Sequence, residues 1–267
     1  MKKEGLLHVI AILVLVFIMI PVLWTFRLSL SQTYSANVPL IPSEISFDNY
    51  TTLFNGTSFL TWLKNTVIFA TVVTFLNVLF APSAGYVLAR EKLPGSKFIL
   101  LGIVSAWVIP WLTVLIPLYI AMSRLGLVNT FQGLILPLAV SPMAIFLARQ
   151  YISNIPIELE ESAIVDGASK LEVFFKIILP MSKPALMIVA LMSFIQAWGN
   201  FILPLILITK TSMKTLTVGI PELQQQGITN WGIISASSIF GILPVIIIFI
   251  ALNKYFMEGL AMRTGMK

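Results

Sequence analysis

The chain has 267 residues, 58% of them hydrophobic and only 10% charged, where an average soluble domain carries about 25% charge. A mean hydropathy of +0.95 places it among integral membrane proteins, and the lack of cysteine excludes disulfides and thiolate chemistry without naming a compartment. The net charge of +6 is scattered at the ends of apolar runs, not gathered on one face, which fits membrane topology and not nucleic-acid binding.

Six long gaps separate consecutive charged residues: Glu4 to Arg27, Lys64 to Arg90, Lys97 to Arg124, Arg124 to Arg149, Lys183 to Lys210 and Glu222 to Lys254. Each holds the roughly 20 residues that cross a bilayer as a helix. The expected fold is therefore all-α, an integral membrane protein with six spans in one transmembrane domain, 1–267. The first span, about 6–27, follows Met-Lys-Lys and is longer than a signal-peptide core, so it reads as a retained anchor. A polar stretch, 28–63, leads to the second span at 65–89. The third, 98–122, and fourth, 131–149, follow with short connections. After a charged segment at 155–183 come the fifth span, 184–208, a second polar stretch, 209–232, and the sixth span, 233–253.

An even number of spans puts both termini on one side. If that side is the cytoplasm, the inside holds Lys2, Lys3, Arg90, Lys92, Lys97, Arg149, Lys170, Lys176, Lys183, Lys254, Arg263 and Lys267, twelve in all. The outside holds five, Arg27, Lys64, Arg124, Lys210 and Lys214. The positive-inside rule favours this orientation, and it makes 155–183 cytoplasmic.

That segment alternates Glu158, Glu160, Glu161, Asp166 and Glu172 with Lys170, Lys176 and Lys183. Pro156 suits a helix start, and the glutamates after it suit a helix N-terminus. Gly167 is a natural left-handed stop. Ser169 and Glu172 have the spacing of a capping box. Leu171, Phe174, Phe175 and Ile178 fall at i, i+3, i+4 and i+7, which predicts one apolar helix face. Pro180 and Pro184 then break the chain before span five. The expectation is helix, tight turn, helix: a loop folded on its own spans, or a surface for a soluble partner.

Glu161-Ser162-Ala163, three residues, Gly167, nine residues and Ile177-x-Leu179-Pro180 resemble the E-A-A-x3-G-x9-I-x-L-P motif of ABC importer permeases, with Ser162 in place of one alanine. Phe47-Asp48-Asn49-Tyr50, Asn65-Thr66, Ala84-Gly85-Tyr86-Val87-Leu88-Ala89-Arg90, Leu125-Gly126-Leu127-Val128-Asn129-Thr130 and Ile155-Pro156 resemble the carbohydrate branch, the maltose-transporter type. Trp198-Gly199-Asn200-Phe201 departs from that branch's Trp-Asn-x-Phe. The resemblance implies the type I importer permease fold, with coupling helices between the fourth and fifth spans. It also implies a second permease subunit of different sequence, two ATPase subunits that bind ATP and magnesium, and an extracytoplasmic solute-binding protein. Glu161, Ser162, Ala163, Asp166, Gly167, Phe174, Ile177, Leu179 and Pro180 become the ATPase-coupling residues.

No cofactor, metal or catalytic residue is expected on the chain itself. It has no G-x-x-x-x-G-K-[ST] loop, Gly95-Ser96-Lys97 lacking the earlier glycine, and His8 is the sole histidine. The span interiors hold no Asp, Glu, Lys or Arg, the usual marks of proton or ion coupling, which suits an uncharged solute such as a sugar. Candidate solute contacts are Gln196 and Asn200, spaced i, i+4 on span five, with Trp198, Asn77, Trp107, Trp111 and Tyr119. Each has an alternative: tryptophans belong to interfacial belts, and intramembrane amides join helices. From the residues alone, a passive channel or secondary carrier with a regulator-binding loop stays open, as does a scaffold. Reporter fusions at Ser35 and Lys170 are expected to read external and cytoplasmic respectively; an external Lys170 would reverse the orientation.

Overall fold

The computed structural model describes residues 2–31, 45–91, 93–225 and 230–264. Among them all regular structure is helical. Three helices are long and apolar enough to cross a bilayer alone, with windows at Gly5–Ser29, Phe59–Arg90 and Trp231–Ala251, and three bent helix pairs raise the number to as many as six if each pair counts as one span. The chain divides into two compact units, Met1–Leu63 with Thr215–Val245, and Lys64–Lys214 with Ile246–Lys267.

The first unit contains α1 (Lys2–Ser29), α2 (Asp48–Gly56) and the start of α3 (Phe59–Arg90). Residues 5–21 of α1 are exposed throughout, an apolar cylinder fit for a membrane. Its end is tied down by Asn49 on α2, which is buried and donates to the Ser29 and Ser31 carbonyls at 2.9 Å each. Tyr50 and Ser29 share a hydroxyl hydrogen bond of 2.7 Å. Phe54, Phe59 and Phe240 meet edge to face, with centroids 5.2–5.9 Å apart, the geometry the ring quadrupoles favour.

The second unit carries the rest of α3, then α4 (Ser96–Val108), α5 (Trp111–Arg124), α6 (Phe131–Ile135) and α7 (Pro142–Ile152). After these come α8 (Glu158–Val165), α9 (Lys170–Val173), α10 (Leu179–Met181), α11 (Lys183–Trp198) and α12 (Ile202–Leu207). The last two helices, α13 (Leu216–Gln225) and α14 (Trp231–Thr264), lead back through the first unit.

The expected third span, 98–122, is not one helix: α4 and α5 meet at 99°. Pro110 pushes the residue before it out of the α region, and Ile109 sits at φ −63°, ψ 124°. The fourth, 131–149, bends by 40° between 138 and 142, where a single 3-10 turn, Leu136–Leu138, contains Pro137. The fifth, 184–208, stops at Trp198 and restarts at Ile202. It is entered by a 73° bend from α10, between Pro180 and Pro184, each of which lacks a backbone N–H.

Helix α3 approaches α7 closely at Gly85. A Cβ there would lie 2.7 Å from the Arg149 backbone nitrogen and 3.0 Å from the Ala148 Cβ, so the two backbones meet where only glycine fits. Gly85→Val is expected to cost about 1–3 kcal/mol through overpacking. It should lower the melting temperature of the detergent-solubilised protein well below that of Gly102→Val, where no atom lies within 4 Å.

Candidate functional site: the hairpin between the fourth and fifth spans

The expected helix–turn–helix forms. Helix α8 begins two residues after Pro156, with Glu158, Glu160 and Glu161 in its first turn. Gly167 has φ +92°, a conformation that costs a residue with a Cβ about 1–2 kcal/mol. Its N–H and that of Ala168 donate to the Ile164 and Ala163 carbonyls at 3.0 and 2.9 Å, closing α8. The capping box at Ser169 and Glu172 is complete. Lys176, then the Ser169 N–H and hydroxyl, hold the Glu172 carboxyl down at about 2. Its contribution to the cap is full above the ordinary value of 4.5 and is lost as pH falls toward 2.

Beyond α9 the expected apolar face divides. Residues Phe174–Ile178 form a π-helical turn, wider than an α turn, and burial there follows i, i+4 pairs on opposite sides. Phe174 and Ile178 turn inward, joining Val173, Ile152 and Ile155 in a buried cluster against Tyr86, Ala89, Ala163, Ala168 and Leu179. Leu171 and Phe175 point outward, 70% and 59% exposed. Of the coupling residues expected from the motif, Glu161, Ser162, Asp166, Gly167 and Pro180 are exposed and Ile177 half-buried. Phe174 corrects the expectation of an outward contact: it is part of the glue beneath the hairpin, its ring 5.1 Å from that of Tyr86. Ala163 and Leu179 also pack on this cluster.

Three features escaped the sequence reading. The first is the outward exposure of Ile164 and Val165, which complete an apolar rim with Leu171 and Phe175 of the predicted face; their one signal was apolar residues just before the glycine turn. The second is Glu160, which differs from its neighbour Glu161 in being buried. Its carboxylate accepts from Arg90 Nε and, at 3.1 Å, from the Tyr86 hydroxyl, while Arg90 Nη2 donates to the Ile155 carbonyl at 2.6 Å. Breaking such a buried pair from one side costs about 3–5 kcal/mol. The third is Lys170, 2.8 Å from Glu91.

The intramembrane candidates separate by burial. Asn77 is buried, and its amide donates to the Val73 and Leu138 carbonyls at 2.9 and 2.8 Å and accepts from the Ser141 N–H at 2.7 Å. It bridges the break before α7, so its polar atoms are engaged in joining helices. Trp198 is buried too, stacked on Phe194 at 5.3 Å. Gln196 and Asn200 do not share a helix face, because α11 ends between them; Asn200 Oδ1 accepts the Leu203 N–H at 3.1 Å at the start of α12. Gln196 is exposed, as are Trp107, Trp111 and Tyr119.

Residues 81–260 match the model of a family described as "Binding-protein-dependent transport system inner membrane component". The chain belongs to this family. It is a permease, a multi-pass protein of the inner membrane by that description. Among its relatives, the arabinooligosaccharides transport system permease protein AraQ of Bacillus subtilis is 36% identical over 84% of the permease and 80% of its own length. The trehalose/maltose transport system permease protein MalG of Thermococcus litoralis is 31% identical over 97% and 95%. The fold matches a chain in the crystal structure of a bacterial ABC transporter that imports the acidic polysaccharide alginate, with a TM-score of 0.82, 23% identity and coverage of 96% and 97%. The all-α, six-span importer permease fold with a helical hairpin ahead of the fifth span agrees with that likeness.

No atom lies within 4 Å of a Cβ built on Gly167 of the permease, so substitution there is limited by backbone energy alone. Hydrogen exchange across 158–173 is expected to quicken most for Gly167→Val, less for Gly167→Ala and least for Gly167→Asn, since asparagine tolerates the left-handed region best of the three.

Proposed function

We propose that the chain is a permease subunit of an ATP-driven, binding-protein-dependent importer of oligosaccharides, with both termini cytoplasmic. It pairs with a second permease chain of different sequence. Two ATPase subunits, which bind ATP and magnesium, seat the hairpin 155–183 in a cleft, and an extracytoplasmic protein delivers the solute. The chain itself carries no catalysis; closure of the ATPase pair moves the hairpin, and the hairpin moves the spans.

One observation carries the docking claim. A segment rich in charge, set outside the apolar spans, displays Ile164, Val165, Leu171 and Phe175 at 50–86% exposure around the exposed Glu161 and Asp166. Apolar side chains rimmed by acidic ones on a short helix pair are the chemistry of a helix-in-groove contact. The oligosaccharide assignment is supported by the substrates in the names of AraQ and MalG and by spans without interior charge. Gln196, Trp107, Trp111 and Tyr119, all exposed, are the candidates for solute contact, aromatic faces and a neutral amide being suited to sugars.

In membrane vesicles carrying the whole importer, Glu161→Lys is expected to cut ATP-dependent oligosaccharide uptake about tenfold or more, a loss of ~1.4 kcal/mol in coupling, with the permease still in the membrane. Val165→Asp should release the ATPase subunits on purification. Uptake that proceeds without ATP, or ATPase retained undiminished by both variants, would overturn the docking assignment.

A further inference from the structure

The hairpin is joined to the rest of its unit by the chain at both ends, from α7 and through the 73° bend into α11, and by the buried cluster beneath it. At the bend the Ser182 hydroxyl is buried and forms no hydrogen bond. A further joint is a set of side-chain bonds to the end of α3. Arg90 reaches Glu160 on α8 and the carbonyl of Ile155 before it; Tyr86, one turn back, donates to the second oxygen of the same carboxylate. Glu91 takes Lys170 from α9, across the Gly167 turn. Both helices of the hairpin are thus gripped at the end of one long helix, by its last residue, Arg90, and by Glu91 just beyond it. The Arg90–Glu160 pair is the buried part of the grip, with side chains 11% and 7% exposed, and salt or water screens it little. The Glu91–Lys170 contact is exposed and weaker.

We propose that Arg90 and Glu160 are positioning residues that make α3 a second output of the hairpin, so that movement imposed on the hairpin is carried into α3 as a rigid body as well as into α11. Higher on α3, Asn77 holds the Leu138 carbonyl and the Ser141 N–H, so displacement of α3 reaches the break between α6 and α7. Glu160 and Glu161 then divide the work of adjacent carboxylates: one faces the partner, the other faces the spans. This inference rests on the ATPase-docking reading above.

The chain has no cysteine, so with partner subunits whose cysteines are replaced, spin labels placed at exposed Ser83 on α3 and Lys176 on the hairpin report one distance. The measurement uses the full importer in nanodiscs, with and without ATP, magnesium and vanadate. The wild-type distance is expected to stay constant on trapping, because hairpin and α3 move together. With Glu160→Gln the ATPase subunits remain bound but the distance shifts on trapping, by about 2–5 Å, the scale of helix displacements in such transitions. The exchange R90E/E160R should restore the constant distance, which a loss of packing alone would not allow. If Glu160→Gln fails to assemble, Tyr86→Phe removes one bond to the carboxylate while keeping its ring against Phe174, and it should shift the distance in the same direction. An unmoved distance in the variant that assembles, or an exchange that restores nothing, overturns the joint while docking stands. A wild-type chain that binds no ATPase subunits overturns both.

Discussion

A helix that breaks inside a bilayer leaves carbonyls and N–H groups with no water to satisfy them, and the fold is organised around meeting that constraint. Asparagine meets it at two breaks within the spans: Asn77 bridges the bend before α7, and Asn200 caps α12. The same amide chemistry holds backbone in the polar stretches outside the spans. Asn49 covers the carbonyls at the end of α1, and Asn65 covers those of Ser212 and Lys214 at 2.9 Å each. Asn129, itself left-handed at φ 59°, accepts from the Thr209 and Lys210 N–H groups at 2.7 and 3.0 Å. Each such bond between side chain and backbone is worth only about 0.6 kcal/mol on average in a membrane, but an unsatisfied buried group costs about 1–3. The asymmetry explains why the breaks and the amides occur together.

Where the chain leaves the apolar spans, different physics builds the hairpin. There a capping box, a left-handed glycine and a π turn set the shape, and a buried aliphatic and aromatic cluster holds it down. Two i, i+4 pairs divide the roles there: Phe174 and Ile178 lie inward as glue, and Leu171 and Phe175 lie outward as contact surface.

Much of this was legible in the sequence. Charge spacing found the six apolar stretches, and turn chemistry found the hairpin, its glycine stop and its capping box, because these depend on neighbours within four residues. Motif resemblance marked Asn49, Asn65 and Asn129 without saying why, and their hydrogen bonds supply the reason. What stayed hidden depends on distant partners. Asn77 and Asn200 read as solute contacts because a polar residue in a span looks the same whether it faces a pore or a broken helix. Trp198 read as a sugar platform, and its stacking on Phe194 is invisible until α11 is packed. Glu160 was indistinguishable from Glu158 and Glu161 until Arg90, seventy residues earlier in the chain, came beside it.

The glycines differ in what second-site change could rescue their loss. At Gly219 a side chain would run into the ring of Trp62, and at Gly232 into Asn49 and the Ser31 carbonyl. A suppressor search there has neighbours to trim, and Gly219 has a large one. Gly167 has none, for its constraint is stored in its own φ angle and no surrounding atom can yield. Genetic reversion at the turn is therefore confined to residue 167 itself or to changes that relocate the turn, which makes it the least compensable position of the hairpin.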